Sequence, residues 1–168
     1  MYETILFPTD GSDGAEAALE HAVDHAKQYD ATLHVLFVAD TNVAHSGMVG
    51  EEHEEVERSE MVGDEHEQEQ PSGLVNEDHE DAVTAHAEQV VSETVDAIDG
   101  DVAVETAVWS GNPYKRILDY SDEHGADLIV MGTHGRTGVD RYLLGSVTEK
   151  VVRTADEPVL TVRMAESE

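Results

Sequence analysis

No cysteine occurs among the 168 residues, which excludes a disulfide framework, a thiolate metal site and a cysteine nucleophile. No apolar run approaches the roughly twenty residues that a membrane-crossing helix needs. The opening Met1-Tyr-Glu-Thr-Ile5 lacks the charged start and apolar stretch of a secretory signal, so no membrane association is expected and a cytoplasmic location is. Basic residues are scarce, nine against thirty-eight acidic ones, for a formal charge of −29. With no basic patch to neutralise phosphates, nucleic acid is not an expected partner. A net charge of this size destabilises the compact state by self-repulsion while favouring solubility. At about 1 M salt the Debye length falls to roughly 3 Å and the repulsion is largely screened. The composition therefore suggests adaptation to a very salty, halophilic cytoplasm; capture of a basic partner is the alternative.

Two phosphate-binding signatures are also missing. No Gly-Lys-Ser/Thr and no Gly-x-Gly-x-x-Gly occurs. What is present is an alternation of strand-like and helix-like stretches. Thr4 to Pro8 reads as a buried strand ending in Thr9-Asp10-Gly11-Ser12. Ala15, Ala18, Leu19, Ala22, Val23 and Ala26 then fall on one helix face, and Thr32 to Ala39 is a second strand. Strands joined through a helix run parallel with a right-handed crossover. Residues 40–76 break the rhythm. Ten of the nineteen residues from Glu51 to Glu69 are acidic, so this insert reads as a mobile loop or partly helical flap.

Val83, Ala87, Val90, Thr94 and Ile98 predict a helix over about 77–98, and Val102 to Val108 a third strand. Trp109-Ser-Gly-Asn-Pro113 leads into a helix carrying Ile117 and Leu118, with His124-Gly125 as its glycine C-cap. Leu128 to Met131 is a continuous apolar run, read as a strand buried on both faces. Ser146-Val-Thr-Glu149 has the form of a capping box, predicting a helix with Val147, Val151 and Val152 inward. Val159 to Arg163 is the last strand, and Arg163 to Glu168 a frayed tail.

The expected architecture is one α/β domain over 1–168, a doubly wound, Rossmann-like five-stranded parallel sheet of order 3-2-1-4-5 with helices on both faces. Ligands in such sheets bind at the carboxyl ends of the strands where the order reverses, which sets Pro8, Thr9 and Asp10 beside Met131 and Gly132.

Fourteen residues, Gly132 to Gly145, separate the Leu128 strand from the Ser146 helix, where roughly two to six are usual. The loop carries glycines at 132, 135, 138 and 145. Glycine lets a ligand approach bare backbone, and a helix N-terminus favours an anion. Its arginines, Arg136 and Arg141, either offset phosphate charge or pair with nearby acid. Asp10 has a second reading as a cap for the following helix. His21 with His25, and His79 with His86, have helical spacing without the pattern of a zinc site, so no metal ligand is expected from them. No triad or carboxylate pair stands near the loop, and no catalytic residue is expected.

The spacing Gly132-x2-Gly135-x9-Gly145-Ser146, after a buried strand and before a helix, resembles the ATP-binding branch of the universal stress protein family. The strand ending in Asp10 and the Gly111-Asn112-Pro113 turn extend the resemblance over 2–39 and about 77–163. The resemblance implies ATP, with Mg²⁺ accompanying it, as the ligand. By position, Asp10 would meet ribose or adenine, and Val38 and Ala39 the adenine. Gly132, His134, Gly135, Gly145, Ser146, Val147 and Thr148 would surround ribose and phosphates. It also implies a homodimer through Val159–Arg163, and a role as a nucleotide-dependent sensor or regulator in stress. A slow ATPase or nucleotidyl-transferring enzyme, or a stress protein working through its acidic insert, are the alternatives. The insert at 40–76 departs from the family pattern and bears on how open the site is.

Overall fold

The computed structural model describes residues 1–41, 77–134 and 144–164. The insert from 42 to 76, the loop residues Gly135 to Leu143 and the tail 165–168 lie outside the described residues. Five strands form a single sheet, β1 (Thr4–Thr9), β2 (Thr32–Asp40), β3 (Val104–Gly111), β4 (Leu128–Gly132) and β5 (Val159–Val162), in the order β3-β2-β1-β4-β5. All neighbouring pairs are parallel. Four helices connect them: α1 (Asp13–Tyr29), α2 (Glu77–Asp96), α3 (Pro113–His124) and α4 (Ser146–Thr154).

Each face of the sheet builds its own core from alternate residues of the same strands. Ile5, Phe7, Leu33, Val35, Leu128 and Val130 pack against Ala15, Ala18, Leu19, Ala22, Val23 and Ala26 of α1. Leu6, Leu36, Ile129 and Met131 pack against Ile117 and Tyr120 of α3 and Val151 of α4. Phe37 and Ala39 meet Ala87, Val90 and Val91 of α2 on the α1 side. Central strands covered on both faces are apolar at nearly every position, which is why β1 and β4 read as apolar runs and the interior of β2 is interrupted only by His34.

α1 begins where Ser12, in an extended conformation, accepts a hydrogen bond from the Ala15 N–H at 3.3 Å. Asp13 and Glu16 lie in its first turn and Lys27 in its last, the signs that favour the helix dipole. Below the sheet, the Glu3 and Thr4 N–H groups donate to Asp127 Oδ2 at 2.8 and 3.0 Å. These two bonds hold the Asp127 carboxyl below its usual range and tie the start of β1 to the start of β4.

Three local expectations are corrected. β3 runs on to Gly111 rather than ending at Val108, because Trp109, Ser110 and Gly111 continue the register opposite Val38, Ala39 and Asp40. α4 takes Gly145 as its N-cap, and Ser146 is its first helical residue, so the capping box does not form. The Gly145 N–H donates to the Thr133 carbonyl at 2.7 Å and its own carbonyl accepts from Glu149 N, which holds residue 145 at the boundary. Glu149 turns to Arg153 instead, at 2.6 Å. Val152 faces solvent, and Thr148 takes the inward position beside Val151.

His34 is buried between β2 and α3. Its Nδ1 lies 3.0 Å from the Tyr120 hydroxyl and its Nε2 3.8 Å from Glu105, while His124 stacks on Tyr120 at 3.8 Å. Burial pushes the Tyr120 phenol up, so the hydroxyl keeps its proton, and the His34 tautomer sets which of the two groups donates. Burial also pushes the His34 imidazole below 6.5; Glu105 opposes this and His124 adds to it. An imidazole depressed in the folded state is protonated first in the unfolded chain. Its contribution to stability is therefore complete above about pH 6.5 and lost as pH falls below it. Urea midpoints should fall between about pH 7.5 and pH 5.5, and fall less in His34→Gln. Parallel curves for the two proteins would contradict this.

Candidate functional site

The sheet order places the carboxyl ends of β2, β1 and β4 side by side. β1 pairs with β2 from Thr4 to Thr9, but with β4 only through Ile5–Leu128 and Leu6–Ile129. Beyond these pairs stands Pro8, which has no N–H to give to a ladder. The chain order reverses at this position, so a crevice opens between the two strand ends.

The first turn of α1 enters that crevice. A Cβ on Gly14 would collide with the His134 carbonyl oxygen, and a Cβ on Gly132 with the Gly14 carbonyl oxygen. Only glycine at both positions lets the helix backbone lie directly on the end of β4. Thr148 on α4 adds a third strut, its hydroxyl donating to the Gly132 carbonyl at 2.8 Å. Thr133 adds a fourth, its N–H donating to the Val162 carbonyl at 2.9 Å.

The described candidate residues divide into walls and edges. Pro8, Thr9, Ala39, Met131 and Thr148 are buried; Asp10, Val38, Gly132, His134, Gly145 and Val147 are half-buried; Ser146 is exposed. Asp10 Oδ1 accepts from the Ser12 N–H at 3.0 Å, and Thr9 Oγ1 accepts from Gly11 N at 3.2 Å. Asp10 is thus not the N-cap of α1 but braces the residue that is. The ring Nδ1 of His134 lies 2.9 Å from the Thr133 hydroxyl. The Thr148 hydroxyl is committed inward to Gly132, which leaves its backbone N–H as the group that can meet a ligand. Gly145 offers α4 no side-chain cap. Its first N–H groups lack the partner that a serine or aspartate would supply, and such a terminus suits an anion. Gly135, Arg136 and Arg141 lie outside the described residues.

Gly14 carries no motif, yet it is one of the two contacts that set the crevice. A glycine in the first turn of an otherwise alanine-rich helix was the available signal. The His25 ring lies 2.7 Å from the His21 carbonyl, His86 meets Phe37 ring to ring, and the side chain of His79 lies outside the described residues. Among the described residues no three His, Asp or Glu side chains converge. No described helix is long and apolar enough to cross a membrane.

Comparison with known proteins gives a consistent result. The family model described as Universal stress protein family matches residues 1–163. Universal stress protein MJ0531 of Methanocaldococcus jannaschii is 34% identical over 169 residues, taking in 100% of this chain and 86% of that protein. Universal stress protein MJ0577 of the same organism is 30% identical over 168 residues, 99% of this chain and 98% of that one. The solved structure of MJ0577 has a TM-score of 0.72 to this one at 27% identity, covering 99% of each chain. A universal stress protein solved in complex with cAMP shares the fold at 23% identity and a TM-score of 0.64, covering 98% of this chain and 99% of that one.

Helix propensity and packing make opposite predictions at Gly14. Alanine in a helix is favoured over glycine by roughly 0.5–1 kcal/mol, whereas overpacking a tight contact costs about 1–3 kcal/mol. The obstacle is a backbone carbonyl that cannot turn aside, so packing wins. Gly14→Ala should lose about 2 kcal/mol by urea denaturation. A neutral or stabilising change would show that α1 does not rest on β4.

Proposed function

The chain belongs to the universal stress protein family, and on that premise we propose that it binds ATP in the crevice between β1 and β4 and acts as a nucleotide-dependent regulator in the stress response. The observation that carries the reading is the start of α4. Its N-terminus has no side-chain cap and is tied by Gly145 N to Thr133, directly beyond the end of β4. Phosphate oxygens are the chemistry such a terminus accepts.

The residues fit the ligand. Asp10 takes the ribose or adenine from the β1 side, and the backbone of Val38 with Ala39 takes the adenine. Gly132, His134, Gly135, Gly145, Ser146, Val147 and Thr148 take the ribose and phosphates, with Pro8, Thr9 and Met131 as the walls. Mg²⁺ travels with the nucleotide and keeps most of its waters. Binding and release of the nucleotide at a helix start would alter how that helix is held, which is what a regulator needs. The protein of the same fold solved with cAMP lends support to the adenine class. β5 lies at the edge of the sheet with an open row of ladder groups. The proposal includes a homodimer paired through that edge, over Val159–Arg163, in the cytoplasm. A mass by light scattering of twice 18.3 kDa supports the dimer, and 18.3 kDa refutes it.

Titration with Mg-ATP in high salt should show saturable binding, and denaturing the purified protein should release adenine nucleotide. Asp10→Ala removes a hydrogen bond from a charged group, of the order of 1.5–3 kcal/mol, and should weaken ATP about ten- to a hundredfold. Folded protein that neither releases nor binds nucleotide would overturn the reading.

A further inference from the structure

A second concavity runs along α1 on the side of α2 and meets the β1–β4 crevice at one end, at Thr9 and Gly11. α1 and α2 cover the same face of the sheet, and between them runs a groove of about 690 Å³. Its floor combines the edges of the buried side chains Phe7, Leu19, Val23 and Val90 with Thr9, Gly11, His86 and Thr94. Along one side stand Glu16, Glu20 and Asp24, each exposed and each four residues from the next on α1. Glu93 and Asp99 stand on the other side, Glu93 also accepting the Gln89 amide at 2.8 Å. Among the described residues Lys27 is the one lysine or arginine lining the groove, against five carboxylates.

We propose that this groove docks a basic amphipathic helix of a partner protein. The dimensions suit that occupant. Glu16 to Lys27 is twelve residues of α1, whose eleven steps rise about 17 Å at ~1.5 Å per residue. A three-turn helix matches that length. The groove lies between two sides of exposed carboxylates, so a guest lying along it would turn one face inward and keep the other in water, the geometry of helix-in-groove recognition. The walls are helices and present no sheet edge for an extended peptide. Charge sets the partner: apolar residues on the floor and lysine or arginine against the two acidic sides. A second copy of this chain, at −29, has the wrong sign, as does its own stretch 51–69. The inference stands on the groove and does not depend on the nucleotide reading.

The probe is a fluorescent peptide of about four turns, roughly 15 residues, with leucine at i, i+3, i+4 and i+7 and lysine elsewhere. Beside it is a scrambled peptide of the same composition that has no apolar face. Anisotropy titration should show saturable one-to-one binding of the first peptide only. Glu20→Lys with Asp24→Lys should weaken it by about tenfold or more. Ala97→Trp, a filling change at an exposed lining residue, should do the same. Asp122→Lys with Glu123→Lys, on the opposite face, should leave it unchanged, with circular dichroism verifying the fold of every variant. Equal binding of the scrambled peptide, equal loss in the α3 variant, or no loss in Ala97→Trp would overturn the proposal in favour of unspecific attraction to acid. Absence of saturable binding would overturn it outright.

Discussion

The contact on which the rest of this structure depends is backbone against backbone, where the first turn of α1 meets the end of β4. Gly14 lies on the His134 carbonyl, and Gly132 on the Gly14 carbonyl. Side chains could not make this approach, because a single methyl group at either place would drive into an oxygen atom. The contact decides where α1 starts, and with it the turn from Thr9 to Ser12 that carries Asp10. It also fixes the end of β4, to which Thr148 reaches from α4 on the other side of the sheet. Three elements distant in sequence thus meet around two residues with no side chains.

Around that junction the protein separates its two physical problems. Among the described residues the interior is almost wholly apolar, and most of its buried polar side chains are spent on geometry, Thr9 on Gly11, Thr148 on Gly132 and His34 on Tyr120, while Ser121 Oγ is buried with no hydrogen-bond partner among them. Among the described residues no Asp or Glu is buried, so their charge lies where water and salt can screen it. Arg116 and Arg153 each meet an acid on their own helix, Asp119 and Glu149, and exposed pairs of this kind contribute little to stability. Burial of the two sheet faces has to hold the fold together against the repulsion of its surface.

The strands and α1 were legible because burial on both faces leaves a one-letter signature, an apolar run or a row of alanines at helical spacing. The sheet order, which sets the ends of β1 and β4 side by side, followed from the alternation of elements and the common order of doubly wound sheets. What escaped depends on neighbours that a local pattern does not contain. β3 extends to Gly111 because β2 offers partners there. Ser146 loses the cap because Gly145 is pinned to Thr133. Val152 faces water because Thr148 and Val151 define the buried side of a short helix. Gly14 belongs to no pattern within its own helix, and its reason is the His134 carbonyl beyond the end of β4. The insert after Thr41, with Gly135, Arg136 and Arg141, lies outside the described residues, so what was read of them stands as an expectation.

The central claim is that the crevice framed by Gly14, Gly132 and the start of α4 is where an adenine nucleotide sits. Its most direct test is to follow backbone amide shifts by nuclear magnetic resonance while Mg-ATP is added to the ¹⁵N-labelled protein. The account predicts that the largest shifts fall on Thr9 to Gly11, Val38 and Ala39, Gly132 to His134, and Gly145 to Thr148, with the groove residues Glu20, Asp24 and Ala97 unmoved. Shifts concentrated in the α1–α2 groove, or none at saturating nucleotide, would contradict it.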